Sequence, residues 1–131
     1  MDPWIRNGLL TALVVLVPLS AVAQTADSLP PGVTREMVTK GKSVFGGAGL
    51  CLACHGPDGK GSIGPDLTDR EWLHGDGSYG ALVKLITTGV DQKQSKTGQM
   101  MPPKGGSAIN EADLRAVTAY VWSLSRRAAG R

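Results

Sequence analysis

The sequence predicts an all-α domain in which short helices are joined by long loops, and three observations carry that prediction. Apolar residues recur at helical spacing in three separated segments. Nothing between those segments alternates with period two over more than four residues. Glycine, 18 of 131 residues, is twice the usual ~7% and is concentrated between Gly41 and Gly106, in the stretches that join the helical segments. The length suits one domain, and glycine plus 8 prolines stays below the level of a low-complexity chain.

The first helix starts after Thr34 as N-cap. Met37, Gly41, Val44 and Phe45 share one face, Glu36 lies in the first turn where a negative charge suits the helix dipole, and Gly46-Gly47 ends the run. The second places Tyr79, Leu82, Val83 and Ile86 together, with Gly89 to stop it. The third has the clearest signals: Asn110 as cap, Asp113 in the first turn, then Leu114, Val117, Tyr120, Val121 and Leu124 on one face until Arg126-Arg127. Three such helices bury little core by themselves, so the loops are expected to wrap around something else.

Residues 1–23 have the layout of a secretory signal peptide. The apolar run Leu9 to Leu19 is shorter than the ~20 residues a membrane-crossing helix needs, and Ala21-Val22-Ala23 supplies a small-x-small cleavage pattern. The expected location is therefore the periplasm. An uncleaved membrane anchor is the alternative, favoured by Asp2 offsetting Arg6. Residues 24–33, with Pro30-Pro31-Gly32, read as a flexible lead-in, 34–127 as the domain, and 128–131 as a C-terminal tail.

Two cysteines are too few for a disulfide scaffold. Fourteen basic against eleven acidic residues gives +3, with the signs interspersed, which is too mild for a phosphate-binding surface, so nucleic acid is not an expected partner.

Both cysteines and one of the two histidines fall together in Cys51-Leu52-Ala53-Cys54-His55, the attachment signal of c-type haem. On a helical turn, thiols at i and i+3 lie side by side, so each can form a thioether with one vinyl group, and His55 at i+4 is placed to ligate the iron. A tethered porphyrin also supplies the missing core. Three other readings are weaker. A thioredoxin-like pair needs a βαβ context, a structural disulfide leaves His55 unexplained, and His74 has the wrong spacing for zinc.

With those residues in view, the sequence resembles the class I mono-haem cytochromes c of the bacterial periplasm over residues 34–127. Lys40-Gly41-Lys42-Ser43-Val44-Phe45 is similar to the family's first helix, whose Gly and aromatic pack against an aromatic of the last helix, here Tyr120. Gly64-Pro65-Asp66-Leu67 is similar to the loop whose Pro carbonyl accepts a hydrogen bond from the ligand histidine, which assigns that role to Pro65 for His55. Met100-Met101-Pro102-Pro103 is similar to the segment that delivers the second axial ligand. Pro102 restricts the residue before it to extended backbone, so Met101 is preferred to Met100, and Met37 is read as core filler. The six-residue step from Phe45 to Cys51 is longer than in mitochondrial members.

Further expectations follow. Trp72 either donates to a haem propionate or packs on the porphyrin edge. His74 is read as a loop histidine outside the ligand set. Leu67, Leu82, Ile86, Val90 and Ile109 are candidates for lining the haem pocket, and Trp122 receives no function. Lys60, Lys84, Lys93, Lys96 and Lys104 are candidates to steer an acidic partner.

His/Met ligation leaves no open position for substrate, so the expected protein is a monomeric one-electron carrier between redox proteins and not an enzyme, with one haem c. A haem peroxidase or gas-binding protein is the rival class. Diheme peroxidases need a second attachment signal, however, and five-coordinate four-helix cytochromes carry theirs near the C-terminus. A third reading is a haem-bearing subunit of a respiratory oxidase or dehydrogenase, because Trp72-Leu73-His74-Gly75 and Tyr120-Val121-Trp122-Ser123-Leu124-Ser125 are similar to segments of such subunits.

Overall fold

The computed structural model describes residues 28–127. The signal-peptide assignment of 1–23, the lead-in residues 24–27 and the tail 128–131 lie outside the described residues. In chain order the helices are α1 (Arg35–Gly46), α2 (Leu52–His55), α3 (Tyr79–Thr88) and α4 (Glu111–Arg127), with a short 3-10 turn at Pro103–Gly106 before α4. Among the described residues the β structure is a single antiparallel bridge between Val90 and Met101, so the all-α expectation holds.

The helix ends follow the chemistry read in the sequence. The Thr34 side chain accepts from the Met37 amide at 3.2 Å, and that of Asn110 accepts from the Asp113 amide at 2.9 Å. Gly47 and Gly89 cap α1 and α3. Ser78, not anticipated as a cap, accepts from the Ala81 amide at 3.3 Å.

Both α1 and α3 pack on α4. The edge of the Phe45 ring meets the Tyr120 ring at 5.4 Å between centroids and 66° between planes, the aromatic pairing the family resemblance implied. Lys40 of α1 pairs with Asp113 of α4 at 2.7 Å, and the Tyr79 hydroxyl donates to the Arg115 carbonyl at 3.1 Å, fastening the start of α3 to α4. Burial on α4 extends well past the expected stripe: Ala116, Thr118, Ala119, Ser123 and Ser125 are also buried. Its polar side chains are satisfied within the helix, Thr118 donating to the Leu114 carbonyl at 2.8 Å and Ser123 to that of Tyr120 at 2.7 Å.

Two local expectations differ from the structure. Inside the stretch read as lead-in, residues 30–33 already form a turn closed by the Val33 amide on the Pro30 carbonyl at 3.0 Å, and Val33 is buried. On α1, Met37 is only half-buried, and its neighbour Val38 is the residue that packs against the core.

Candidate functional site

The loop Gly47–Leu50 leaves α1 and brings the chain to α2 through Leu50, whose φ of +57° is left-handed. Cys51 is the residue before the first turn of α2, and the His55 amide bonds back to its carbonyl at 3.0 Å. The helical turn expected for this motif is therefore present. Gly56, with φ of +75°, ends it.

The following loop is laced onto α2. The Gly61 amide donates to the His55 carbonyl at 2.8 Å, the Gly64 amide to that of Cys54 at 2.8 Å, and the Leu67 amide to that of Gly59 at 2.7 Å. Asp66 stiffens the far side by accepting from both the amide and the hydroxyl of Thr68 at 2.6 Å each. Hydrogen bonds from Thr68 hold the Asp66 carboxyl below the usual carboxylate value. The result is that the Pro65 carbonyl lies 3.0 Å from Nδ1 of His55. A carbonyl only accepts, so Nδ1 carries the proton and Nε2 keeps its lone pair. His55 is 8% exposed.

These groups face one partly open cleft. Cys51, Cys54, His55, Pro65, Trp72, Met100 and Met101 all line it, so the structure brings every sequence-predicted site residue to one place. Leu67, Leu82, Ile86 and Val90 line it as expected, whereas Ile109 is buried in the core and does not. His74 lines it as well. Phe45, Leu50, Ile63, Leu85 and Val121 complete the apolar wall without having been anticipated there: helical periodicity does not distinguish a residue facing a cofactor from one facing another helix, and Leu50 and Ile63 lie in loops that have no periodicity to read.

The two methionines differ in how they are held. Met101 is half-buried, and its backbone exchanges two hydrogen bonds of 2.8 Å with Val90, which keeps it extended. Met100 is 56% exposed. Trp72 packs its indole against Gly77, whose φ of +72° and missing side chain make room for the ring. Lys60, Lys84, Lys93 and Lys96 are exposed, but Lys104 is half-buried and its ammonium donates to the Ile109 carbonyl at 3.1 Å.

The donor set fits one haem and fits the alternatives poorly. The sulfurs of Cys51 and Cys54 are not bonded to each other, and burial pushes the Cys51 thiol up to about 11, opposite to the lowered value a dithiol catalyst uses. Among the described residues no group of three or more His, Cys, Asp or Glu side chains is placed to hold a bare metal ion. Two thiols one helical turn apart, an imidazole with a free Nε2 and two thioethers on an apolar cleft are the ligands a c-type haem takes.

Comparison with known proteins agrees. A family model described as Cytochrome c matches residues 38–125. The chain is 39% identical over 113 residues to the cbb3-type cytochrome c oxidase subunit CcoP of Rubrivivax gelatinosus, covering 84% of this chain and 33% of that subunit. It is 39% identical over 109 residues to the cbb3-type cytochrome c oxidase subunit FixP of Bradyrhizobium sp. strain ORS 278, covering 80% of this chain and 37% of that subunit. The chain thus spans about a third of the length of these relatives. Among solved structures, cytochrome cL of Methylophaga aminisulfidivorans has a similar fold, with a TM-score of 0.51 and 24% identity over 70% of this chain and 55% of that one.

Proposed function

The chain belongs to the cytochrome c family, and from that premise we propose that it is a one-electron carrier that would hold a single haem c through Cys51 and Cys54, with His55 and Met101 as the side chains that would ligate its iron. A haem bound in this cleft supplies reversible exchange of one electron between ferrous and ferric iron.

The observation that carries this reading is the 3.0 Å contact between His55 Nδ1 and the Pro65 carbonyl, on a histidine directly following the second cysteine. The Pro65 carbonyl fixes the imidazole's tautomer and orientation, so that Nε2 is the ligating atom. Met101 is the thioether on the better-held backbone and takes the second position. Leu82, Ile86 and Val121 keep water from the cleft, which disfavours the extra charge of the oxidised state and raises the reduction potential. Trp72 serves the cofactor's rim, by its indole N–H or by packing. With His55 and Met101 both holding the iron, no position would be left for a substrate, so the protein acts as a carrier and not as an enzyme.

Its partners are redox proteins. The CcoP and FixP relatives favour a respiratory membrane complex as one of them, with this chain as an oxidase-associated haem protein. Among the described residues no helix is long and apolar enough to cross a membrane, and export to the periplasm through residues 1–23 is part of the same reading. Exposed Lys60, Lys84, Lys93 and Lys96 are the groups available to steer an acidic partner.

Absorption spectra of the oxidised and reduced protein, with its intact mass, test the reading. Expected are one covalent haem and low-spin spectra in both states, with slow or absent binding of carbon monoxide to the reduced form. Colourless protein with the mass of bare polypeptide overturns the haem, and rapid carbon monoxide binding favours a gas-binding or peroxidase function.

A further inference from the structure

The strap that carries Met101 is fastened at both ends, and the second fastening is a side chain. At the first end Met101 exchanges its two backbone hydrogen bonds with Val90, directly after α3. Gly89 has a φ of +70° and no side chain, which leaves room for the Met101 carbonyl and the backbone of Pro102 and Pro103.

Beyond Pro103 the backbone turns left-handed at Lys104, Gly105 and Gly106. Glycine adopts that conformation freely, whereas lysine needs other contacts to hold it there. At Lys104 (φ 53°, ψ 29°) three hydrogen bonds supply that hold. Its carbonyl accepts from the Ser107 hydroxyl at 2.7 Å and from the Ser107 amide at 3.2 Å, and its ammonium donates to the Ile109 carbonyl at 3.1 Å. Ile109 is a buried core residue directly before the Asn110 cap. Its carbonyl therefore stands outside the α4 ladder and takes its partner from elsewhere.

Resting on the reading that Met101 ligates the iron, we infer that Lys104 is a positioning residue for that ligand. Its ammonium clips the strap to the start of α4, while the Val90 pair clips it to the end of α3. Between the two clips lie Met101, Pro102 and Pro103, two of them prolines with restricted backbone. Opening either clip gives the Met101 backbone freedom to carry the thioether away from the iron, and the ammonium clip is removed by a substitution at Lys104 itself. This role also separates Lys104 from the exposed lysines, whose ammonium groups remain available to a partner.

Imidazole competes with a methionine sulfur for oxidised iron, so its affinity for the holoprotein reports how firmly the strap is held. Lys104→Met keeps the methylene stem and removes the donor, and Lys104→Gly removes the donor together with the stem. Both are expected to bind imidazole about tenfold more tightly than the wild type, the loss of one charge-assisted hydrogen bond. Both should also weaken the far-red iron–sulfur charge-transfer band, and Lys104→Arg, with a charged donor restored, should return toward wild type. Wild-type imidazole affinity in Lys104→Met overturns the inference, as does a Lys104→Gly protein that binds imidazole more weakly than wild type. A wild-type protein that itself lacks the far-red band overturns Met101 ligation, and that failure is visible before any variant is compared.

Discussion

Gly41 of α1 lies against the Ala116 carbonyl of α4, so close that a methyl group at position 41 would overlap that carbonyl and stand 2.8 Å from Cβ of Tyr120. The obstacle is backbone, and it sits beside the Phe45–Tyr120 ring pair, so neither helix has an easy way to yield. Close approach at this point positions α4, which carries Val121 to the cleft wall.

Gly41→Ala sets two effects against each other. Alanine in a helix is favoured over glycine by about 1 kcal/mol, while overfilling a packed contact costs about 1–3 kcal/mol. A clash with a carbonyl belongs at the upper end, so a net loss of about 2 kcal/mol is expected in urea unfolding of the holoprotein. Gly80→Ala on α3 is the internal control, because a methyl group there meets nothing within 4 Å and should leave stability unchanged or higher. Equal midpoints for the two variants would contradict the helix contact.

Much of this arrangement is legible in the sequence because it is local. Thr34 and Asn110 announce helix starts by their own side-chain chemistry, and Cys51, Cys54 and His55 fall on one turn by spacing alone. Met101 is singled out by the proline after it, and the structure does hold it extended. What the sequence hides depends on distant partners. Ile109 has the same apolar character as Ile86, yet one is core and the other lines the cleft. Lys104 reads like any loop lysine until its ammonium is seen on the Ile109 carbonyl. The wide burial of α4 was invisible because Thr118, Ser123 and Ser125 look polar, and only their bonds back to the helix make them tolerable inside.

Met101→Ala is expected to abolish the far-red band of the oxidised protein and to let carbon monoxide bind the reduced form quickly, because the sixth position is opened. Met100→Ala should keep the band, since Met100 is mostly exposed and its removal leaves the Val90 pairing of Met101 in place. The reverse pattern would transfer the ligand role to Met100.

Gly64→Ala tests the support of His55. A methyl group at position 64 would stand 2.9 Å from Cε1 and 3.0 Å from Nδ1 of that ring, pressing it away from the Pro65 carbonyl. Weakening the Nδ1–H bond makes the imidazole a poorer donor and disfavours ferric iron, so the reduction potential should rise. A tenfold change in that preference corresponds to about 59 mV for one electron. Electrochemical titration of wild type and variant reads it, and an unchanged or lowered potential would count against the support.

Asp66 gives the same loop a pH dependence whose sign follows from its bonding. Thr68 donates twice to one carboxylate oxygen, which holds the folded carboxyl below the ordinary aspartate value of 3.8. The unfolded chain therefore takes up this proton more readily, so the stabilisation is present above that value and is lost as pH falls through the folded one. The group is near the surface, and solvent screening limits its contribution. Asp66→Ala should lower stability by about 1 kcal/mol at neutral pH, a typical net value for a hydrogen-bonded loop side chain. The wild type's advantage over the variant should shrink as the medium is taken below pH 3.8. Thermal melts of both proteins at neutral and acid pH measure that convergence. A gap that stays constant or widens in acid would mean that the Thr68 bonds do not stabilise the ionised carboxylate, and that the Pro65 loop is held by its backbone bonds to α2 alone.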